Sequence, residues 1–242
     1  MKKDFVSPKN FQKEQFMILN VRLKAAADMV PRGARLADIG SDHAYLPIAL
    51  CLEDKIECAL ASDINEGPVA AAVSNISKNG LSDRIRAIRA DGLDMARDFD
   101  PDCITILGMG GELIVSILDA APWIKNPKIT LVLQPMTHGE ILAEYLARNG
   151  FEVKDEIIVY DGGRSDRIYR IISAVFDGHA RNLSYAEALI GKRNLDRGDS
   201  VTRAYVERCI RTLETRIRGK ESSGQNADEE KKIVCDLEGE LI

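Results

Sequence analysis

The run Leu36-Ala37-Asp38-Ile39-Gly40-Ser41-Asp42-His43-Ala44-Tyr45 joins an apolar strand to a polar turn. The strand reaches Asp38, the chain reverses through Gly40, and Ser41, Asp42 and His43 cluster where a helix is due to begin. A second apolar run, Ala59-Leu60-Ala61-Ser62, closes on Asp63, 23 residues beyond Gly40. That spacing suits a strand–helix–strand unit whose second strand ends in an acid that hydrogen-bonds the ribose of an adenosyl cofactor.

Working outward, alternation of strand-like and helix-like segments predicts an α/β protein. Phe16, Leu19, Leu23, Ala26 and Val30 recur at helical spacing, so a helix is expected over 12–30, stopped by Pro31 and Gly33. Strands are expected at 35–39, 57–62, 85–90, 103–107 and 129–133, with helices over 44–52, 65–80, 110–118 and 139–149 between and after them. Two further strand candidates, 153–159 and 168–174, are joined by Asp161-Gly162-Gly163-Arg164 with no helix between them, which reads as an antiparallel hairpin. A mostly parallel Rossmann-like sheet closed by such a hairpin is the class I methyltransferase layout. Beyond Ser184 the pattern is helical. Ser184 and Glu187 form a capping-box pair, and Val206, Ile210, Leu213 and Ile217 make a narrow seam suited to helix pairing. Ser222-Ser223-Gly224-Gln225-Asn226 breaks it before a last helix marked by Ile233, Leu237 and Leu241. We therefore expect two domains, a catalytic one over 1–178 and a small helical, coiled-coil-like one over 179–242.

Composition narrows the classes. With 242 residues, 45% apolar and 29% charged, the chain has room for a large buried core. Its five cysteines show no metal or disulfide spacing, so reduced thiols and no metal are expected. The N-terminus lacks the apolar core of a signal peptide and no apolar run nears the ~20 residues of a membrane helix, which points to the cytoplasm and away from membranes. The net charge of −5 argues against indiscriminate nucleic-acid binding, DNA included. Its distribution is uneven, however: residues 1–180 carry −5, residues 181–220 carry +5 and residues 221–242 carry −5. A basic segment on an acidic protein is a footprint for a polyanion, although a solvated helix face with ordinary ion pairs gives the same pattern.

The candidate chemistry gathers at the strand ends. Gly40 lets the backbone approach a ligand, while Ser41, Asp42 and His43 stand where a glycine-rich loop would otherwise be, so side chains must supply contacts. Asp38 or Asp42 could accept from an ammonium group. Asp63, followed by Ile64 and Asn65, suits the ribose, and Asp91-Gly92 suits the adenine amino group. Gly108-Met109-Gly110 would wall the reacting centre. Gly-x-Gly-x-x-Gly is missing after the first strand, which disfavours a nicotinamide-dependent oxidoreductase.

Taken in order, Asp38 to Pro47, Asp63-Ile64-Asn65-Glu66-Gly67-Pro68, Ala90 to Leu93, Gly108 to Gly111 and Gln134-Pro135-Met136 resemble the bacterial tRNA (adenine-22-N1)-methyltransferase family, TrmK. That resemblance implies S-adenosylmethionine (SAM) as cofactor, tRNA as partner, and methylation of N1 of an adenine in the D-loop region. The tail is then expected to contact the tRNA. Tyr45 and Gln134-Pro135-Met136 become candidates for holding the target base, with Asp42 and His43 beside them orienting cofactor or base. His138 begins a helix and suits either a cap or the site, and Arg22, Arg164 and Arg167 suit either phosphates or water. A small-molecule SAM methyltransferase, or a non-catalytic SAM- and RNA-binding protein, would share the cofactor motifs.

Overall fold

The structure, a computed structural model, describes residues 19–162 and 167–239. Its centre is a seven-stranded sheet in the order β3-β2-β1-β4-β5-β7-β6. The strands are β1 (Ala34–Ile39), β2 (Ile56–Asp63), β3 (Ile85–Arg89), β4 (Cys103–Met109), β5 (Thr130–Pro135), β6 (Phe151–Asp161) and β7 (Arg167–Phe176). The first five pair in parallel, whereas β7 runs antiparallel between β5 and β6. The expected hairpin is present, and its strands outrun the sequence reading because β6 and β7 stay paired from Phe151–Phe176 to Asp161–Arg167. Residues 163 and 164 of its turn lie outside the described residues, as does Leu241.

The apolar runs produce this sheet because both of its faces are covered. Alternate residues of one strand enter two separate cores: Leu36 packs with Ile48, Leu50 and Ile76, while Ala37 and Ile39 pack with Ile104, Ile114 and Leu118. The covering helices are α1 (Val21–Met29), α2 (Tyr45–Leu52), α3 (Glu66–Lys78), α4 (Gly111–Asp119) and α5 (Gly139–Arg148). Within the described residues α1 starts at Val21, later than the expected position 12. The Asn20 side chain ends it by accepting from the Leu23 N–H, so the helix has a defined cap there.

Neighbouring strands β1 and β4 are followed by crossovers that leave in opposite directions, to β2 on one side and β5 on the other. A crevice opens above the C-terminal ends of the strands at such a reversal. Asp38 and Thr105 are register partners across it, and Gly40 and Gly108 lie at its rim.

The C-terminal segment folds as α6 (Tyr185–Ile190), α7 (Lys192–Arg197), α8 (Ser200–Ser222) and α9 (Asp228–Gly239). The Ser184–Glu187 capping box forms in full. Val206, Ile210, Leu213 and Leu237 bury against Ile158 of β6 together with Ala186 and Ile190. The helical seam thus closes partly on its own hairpin and partly on the outer edge of the sheet. Beneath it lies a buried ion pair. Arg170 of β7 donates through Nε and Nη2 to Glu156 Oε2 at 3.1 and 2.7 Å, and through Nη1 to the Ala188 carbonyl at 2.6 Å. The other Glu156 oxygen accepts from the Arg193 N–H at 2.9 Å. Among the described residues, no helix is long and apolar enough to cross a membrane.

Candidate active site

A cleft of about 420 Å³ sits above β1 and β4, lined by Asp38, Gly40, Ser41, Asp42, Tyr45, Asp63, Gly108 and Met109 among others. Eight of the residues singled out in the sequence therefore meet around one cavity, although they come from three separate stretches of chain. Gly40 has φ +68°, a conformation that favours glycine, and the end of the flexible Met109 side chain occupies the space beside it, 2.1 Å from where a Cβ would lie. The loop that follows is pinned on both sides. Ser41 N–H donates to the Ser62 carbonyl, and Asn75 of α3 donates to the His43 carbonyl at 3.1 Å. Between those pins His43 and Ala44 both adopt the left-handed conformation, at φ 62° and 56°. Each such residue costs of order 1–3 kcal/mol and persists only where the surroundings over-determine it.

That strained turn sets three side chains in a row. Asp42 Oδ1 lies 3.1 Å from His43 Nε2, and the His43 ring stacks on Tyr45 with centroids 5.3 Å apart and planes at 18°. Tyr45 remains 41% exposed at the mouth of the cleft, a large aromatic face open to solvent. Asp38, in contrast, is buried at 6% exposure and accepts from the Thr105 hydroxyl. Burial pushes its carboxyl above the usual range, opposed by the Ser41 and Thr105 hydroxyls and by the Arg22 guanidinium. At the end of β2, Asp63 Oδ1 accepts from the Asn65 N–H at 2.8 Å and so turns the chain into α3. Among the described residues its second carboxylate oxygen makes no hydrogen bond, so starting the helix leaves that atom available to a ligand.

Asp91 and Gly92 line a second cleft of about 520 Å³ with Leu113, Ile117 and Trp123, not the one that Asp63 lines. Ile64 and Asn65 follow Asp63 on the exposed rim, and the Ile64 side chain is left in solvent. Gly110 caps α4. At Gly111 a Cβ would fall 2.1 Å from the His138 carbonyl oxygen, and its N–H donates to Thr137 at 2.7 Å. The β4–α4 and β5–α5 loops are thereby fastened together, and Met136 N–H donates to the Met109 carbonyl alongside.

Two expectations change. Gln134 does not reach into the cleft: it is fully buried, with Nε2 donating to the Pro135 carbonyl and Oε1 accepting from Arg22 Nη1 at 2.8 Å. Pro135 is likewise buried, leaving Met136 as the exposed member of that trio. His138 occupies the N-cap of α5 in a left-handed conformation, yet its side chain caps nothing and instead lies 3.4 Å from Glu140. Arg22, read from the sequence as either a phosphate contact or a solvated charge, lines the cleft itself. Its helical spacing marks nothing special; only its meeting with Gln134, 112 positions later, reveals it.

A turn at the strand reversal, an acid after each of the first two strands and an aromatic face at the mouth define a nucleoside-cofactor cleft of the class I transferase kind. A family model described as a methyltransferase domain matches residues 19–172. The tRNA (adenine(22)-N(1))-methyltransferase of Bacillus subtilis is 40% identical over 146 residues, which are 60% of this chain and 61% of that protein's length. A Streptococcus pneumoniae protein described as a tRNA (m1A22) methyltransferase superposes with a TM-score of 0.80 at 30% identity, covering 93% of this chain and 100% of that one. Its SAM complex gives 0.81 at 29%, with the same coverage. The m1A22 tRNA methyltransferase TrmK of B. subtilis gives 0.82 at 29% identity, covering 93% and 100%. The chain belongs to the methyltransferase-domain family and, within it, to the TrmK family of class I SAM-dependent methyltransferases.

Proposed function

We propose that this protein transfers a methyl group from SAM to N1 of an adenine in tRNA, at position 22. The observation that carries the reading is the grouping of Gly40, Asp38, Asp42 and Asp63 around one cleft with the stacked, exposed Tyr45 at its mouth. The residues fit the cofactor: Gly40 and Gly108 add no side chain of their own to the cleft, and among the described residues one Asp63 carboxylate oxygen is left for a ribose. SAM, when bound, supplies an electrophilic methyl on a sulfonium and leaves as a neutral thioether.

Adenine N1 carries an in-plane lone pair, so no residue need remove a proton before attack. The chain's contribution is then orientation and electrostatics. In this reading Asp38 and Asp42 accept from the cofactor's ammonium, and Asp63 from its ribose. With SAM bound, Asp38, Asp42 and Asp63 would give the cleft an acidic lining around the cationic cofactor and hold its two ends in a fixed orientation. Tyr45 offers the face on which an unstacked base can lie, with His43 behind it and Met136 exposed nearby; Asp42 fixes the His43 ring.

The helical segment over 179–242 is proposed to dock the tRNA. Arg208 and Arg216 of α8 share a groove of about 330 Å³ with Thr137 and His138, whose loop is fastened to Gly111 beside the cleft. Several basic side chains of the segment, Arg208 among them, are engaged within the protein, including Lys192 with Asp196, Arg211 with Glu207 and Lys220 with Glu230. The charge excess therefore overstates the number of phosphate contacts available.

Incubation with SAM and unmodified tRNA, followed by nuclease digestion and mass mapping, should place one new methyl on N1 of adenine 22. Each phosphate contact should add ~0.7–0.9 to the slope of log affinity against log salt. Methylation of another atom, or turnover of SAM that tRNA does not stimulate, would reject the proposal.

A further inference from the structure

The cleft is acidic except at one point. Asp38, Asp42 and Asp63 line it, and among the described residues Arg22 is the one cation of its lining. Arg22 is held there from several directions. Gln134 accepts from its Nη1 at 2.8 Å, and the Tyr169 ring lies 5.9 Å below its guanidinium carbon. Gly108 leaves it room, since a Cβ on that residue would stand 3.3 Å from Nη1. Gln134 is fully buried and its amide is oriented by the Pro135 carbonyl, so it is a rigid anchor and not a mobile partner. The rest of the guanidinium is uncommitted: among the described residues Arg22 makes no ion pair and no other hydrogen bond. Asp38 faces it closely enough for each to shift the other's ionisation, yet outside ion-pair distance. Half-burying a fork of donors beside a carboxylate without letting the two close is costly unless an anion completes the arrangement.

We propose that Arg22 is the anion-binding residue of the cleft and takes the α-carboxylate at the methionine end of the cofactor, with Gln134 as its positioning residue. This rests on the SAM reading above and assigns the one part of that molecule which the acids cannot hold. A zwitterionic amino-acid end needs one partner of each sign, and Asp38 facing Arg22 across a gap supplies that pair. A tRNA phosphate is the competing anion. It is disfavoured because Arg22 points into the cleft floor shared by Asp38 and Gly108, while a backbone phosphate stays at the surface.

The test separates the ends of the ligand. Calorimetry should compare SAM, its decarboxylated analogue and 5′-methylthioadenosine on the full-length protein and on Arg22→Gln. Loss of charge-assisted hydrogen bonds should weaken SAM binding about 10- to 100-fold, with the other two ligands unchanged. Arg22→Lys should recover part of the loss, and Gln134→Leu should reproduce a smaller version of it with the same ligand selectivity. Equal weakening for all three ligands would make Arg22 a structural residue and overturn the assignment. Unchanged SAM affinity with weakened tRNA binding would overturn it in favour of a phosphate contact. Should the unaltered protein bind none of the three ligands, the cofactor reading itself fails, which is distinct from either result.

Discussion

Two places in this molecule bury opposite charges, and they do so in opposite ways. At the junction of the hairpin with α6 and α7, Arg170 and Glu156 touch directly, and both Glu156 oxygens and all three Arg170 nitrogens are used. Gly191 follows the chain so closely over this pair that a Cβ would meet the Glu156 carboxylate at 2.1 Å. At the cleft, Arg22 and Asp38 see one another across a gap and each keeps unused capacity. The first arrangement is complete without a ligand and joins two parts of the fold. The second is incomplete and sits beside two consecutive strained residues. Saturation of a buried charge, more than its burial, separates a structural pair from a binding pair.

The largest effect should come from breaking the saturated pair. Glu156→Ala leaves Arg170 buried without its counter-charge and removes the Arg193 anchor, so denaturant unfolding should show a loss of about 3–5 kcal/mol. A joint Glu156→Leu, Arg170→Met change should cost much less than the single one. If Glu156→Ala were nearly neutral, the junction would be as loosely held as the cleft and the contrast would collapse.

On the cleft side, Asp63→Ala removes a charge-assisted hydrogen bond of ~1.5–3 kcal/mol and should weaken SAM binding about 10- to 150-fold by calorimetry. Its effect on unfolding should stay below that of Glu156→Ala. Tyr45→Ala should lower kcat for tRNA by an amount matching ~1–3 kcal/mol of stacking, with SAM affinity held, and Tyr45→Phe should keep most of the rate. Parallel loss of SAM binding would assign Tyr45 to the cofactor instead.

Smallest in size, and opposite in sign, is the expectation for Asp38→Asn. Burial raises the folded carboxyl above its unfolded value, so keeping it ionised costs stability, fully so above the folded pKa. Asn keeps an acceptor for Thr105 without that cost. Melting temperature should therefore rise at neutral pH, and the advantage should shrink as pH falls toward the unfolded value of about 3.9. SAM affinity should fall at the same time. A variant destabilised at neutral pH would mean that Asp38 belongs with Glu156 as a structural charge.

Most of the scaffold was legible because it rests on local signals. The five parallel strands are apolar runs bounded by Gly and Asp, and the hairpin announced itself by the missing helix between 159 and 168. Ser184 and Glu187 marked the start of α6. What escaped depends on contacts distant in the chain. Gln134 looked like a site residue because it ends a strand, but the pleat turns it inward onto Arg22. Glu156 and Arg170 sit on strands whose pairing is readable, yet the helices that complete their hydrogen bonds arrive only at 188–197. Asp38, Gly40 and Asp63 were found because spacing along one strand–helix–strand unit carries their meaning.

The attachment of α1 also has a bearing on how the chain is made. Arg22 is fixed by Gln134, 112 residues later, and lies over the Tyr169 ring beyond that. At a synthesis rate of ~5–20 residues per second, Arg22 waits roughly 6–22 s after translation before Gln134 has even been added. The earliest described helix is thus held in place by some of the last strands of the sheet to appear. A nascent chain halted before β5 would already carry Asp38, Gly40 and Asp63 while lacking the anchor for Arg22, so the ability to grip a zwitterion should emerge late in biosynthesis.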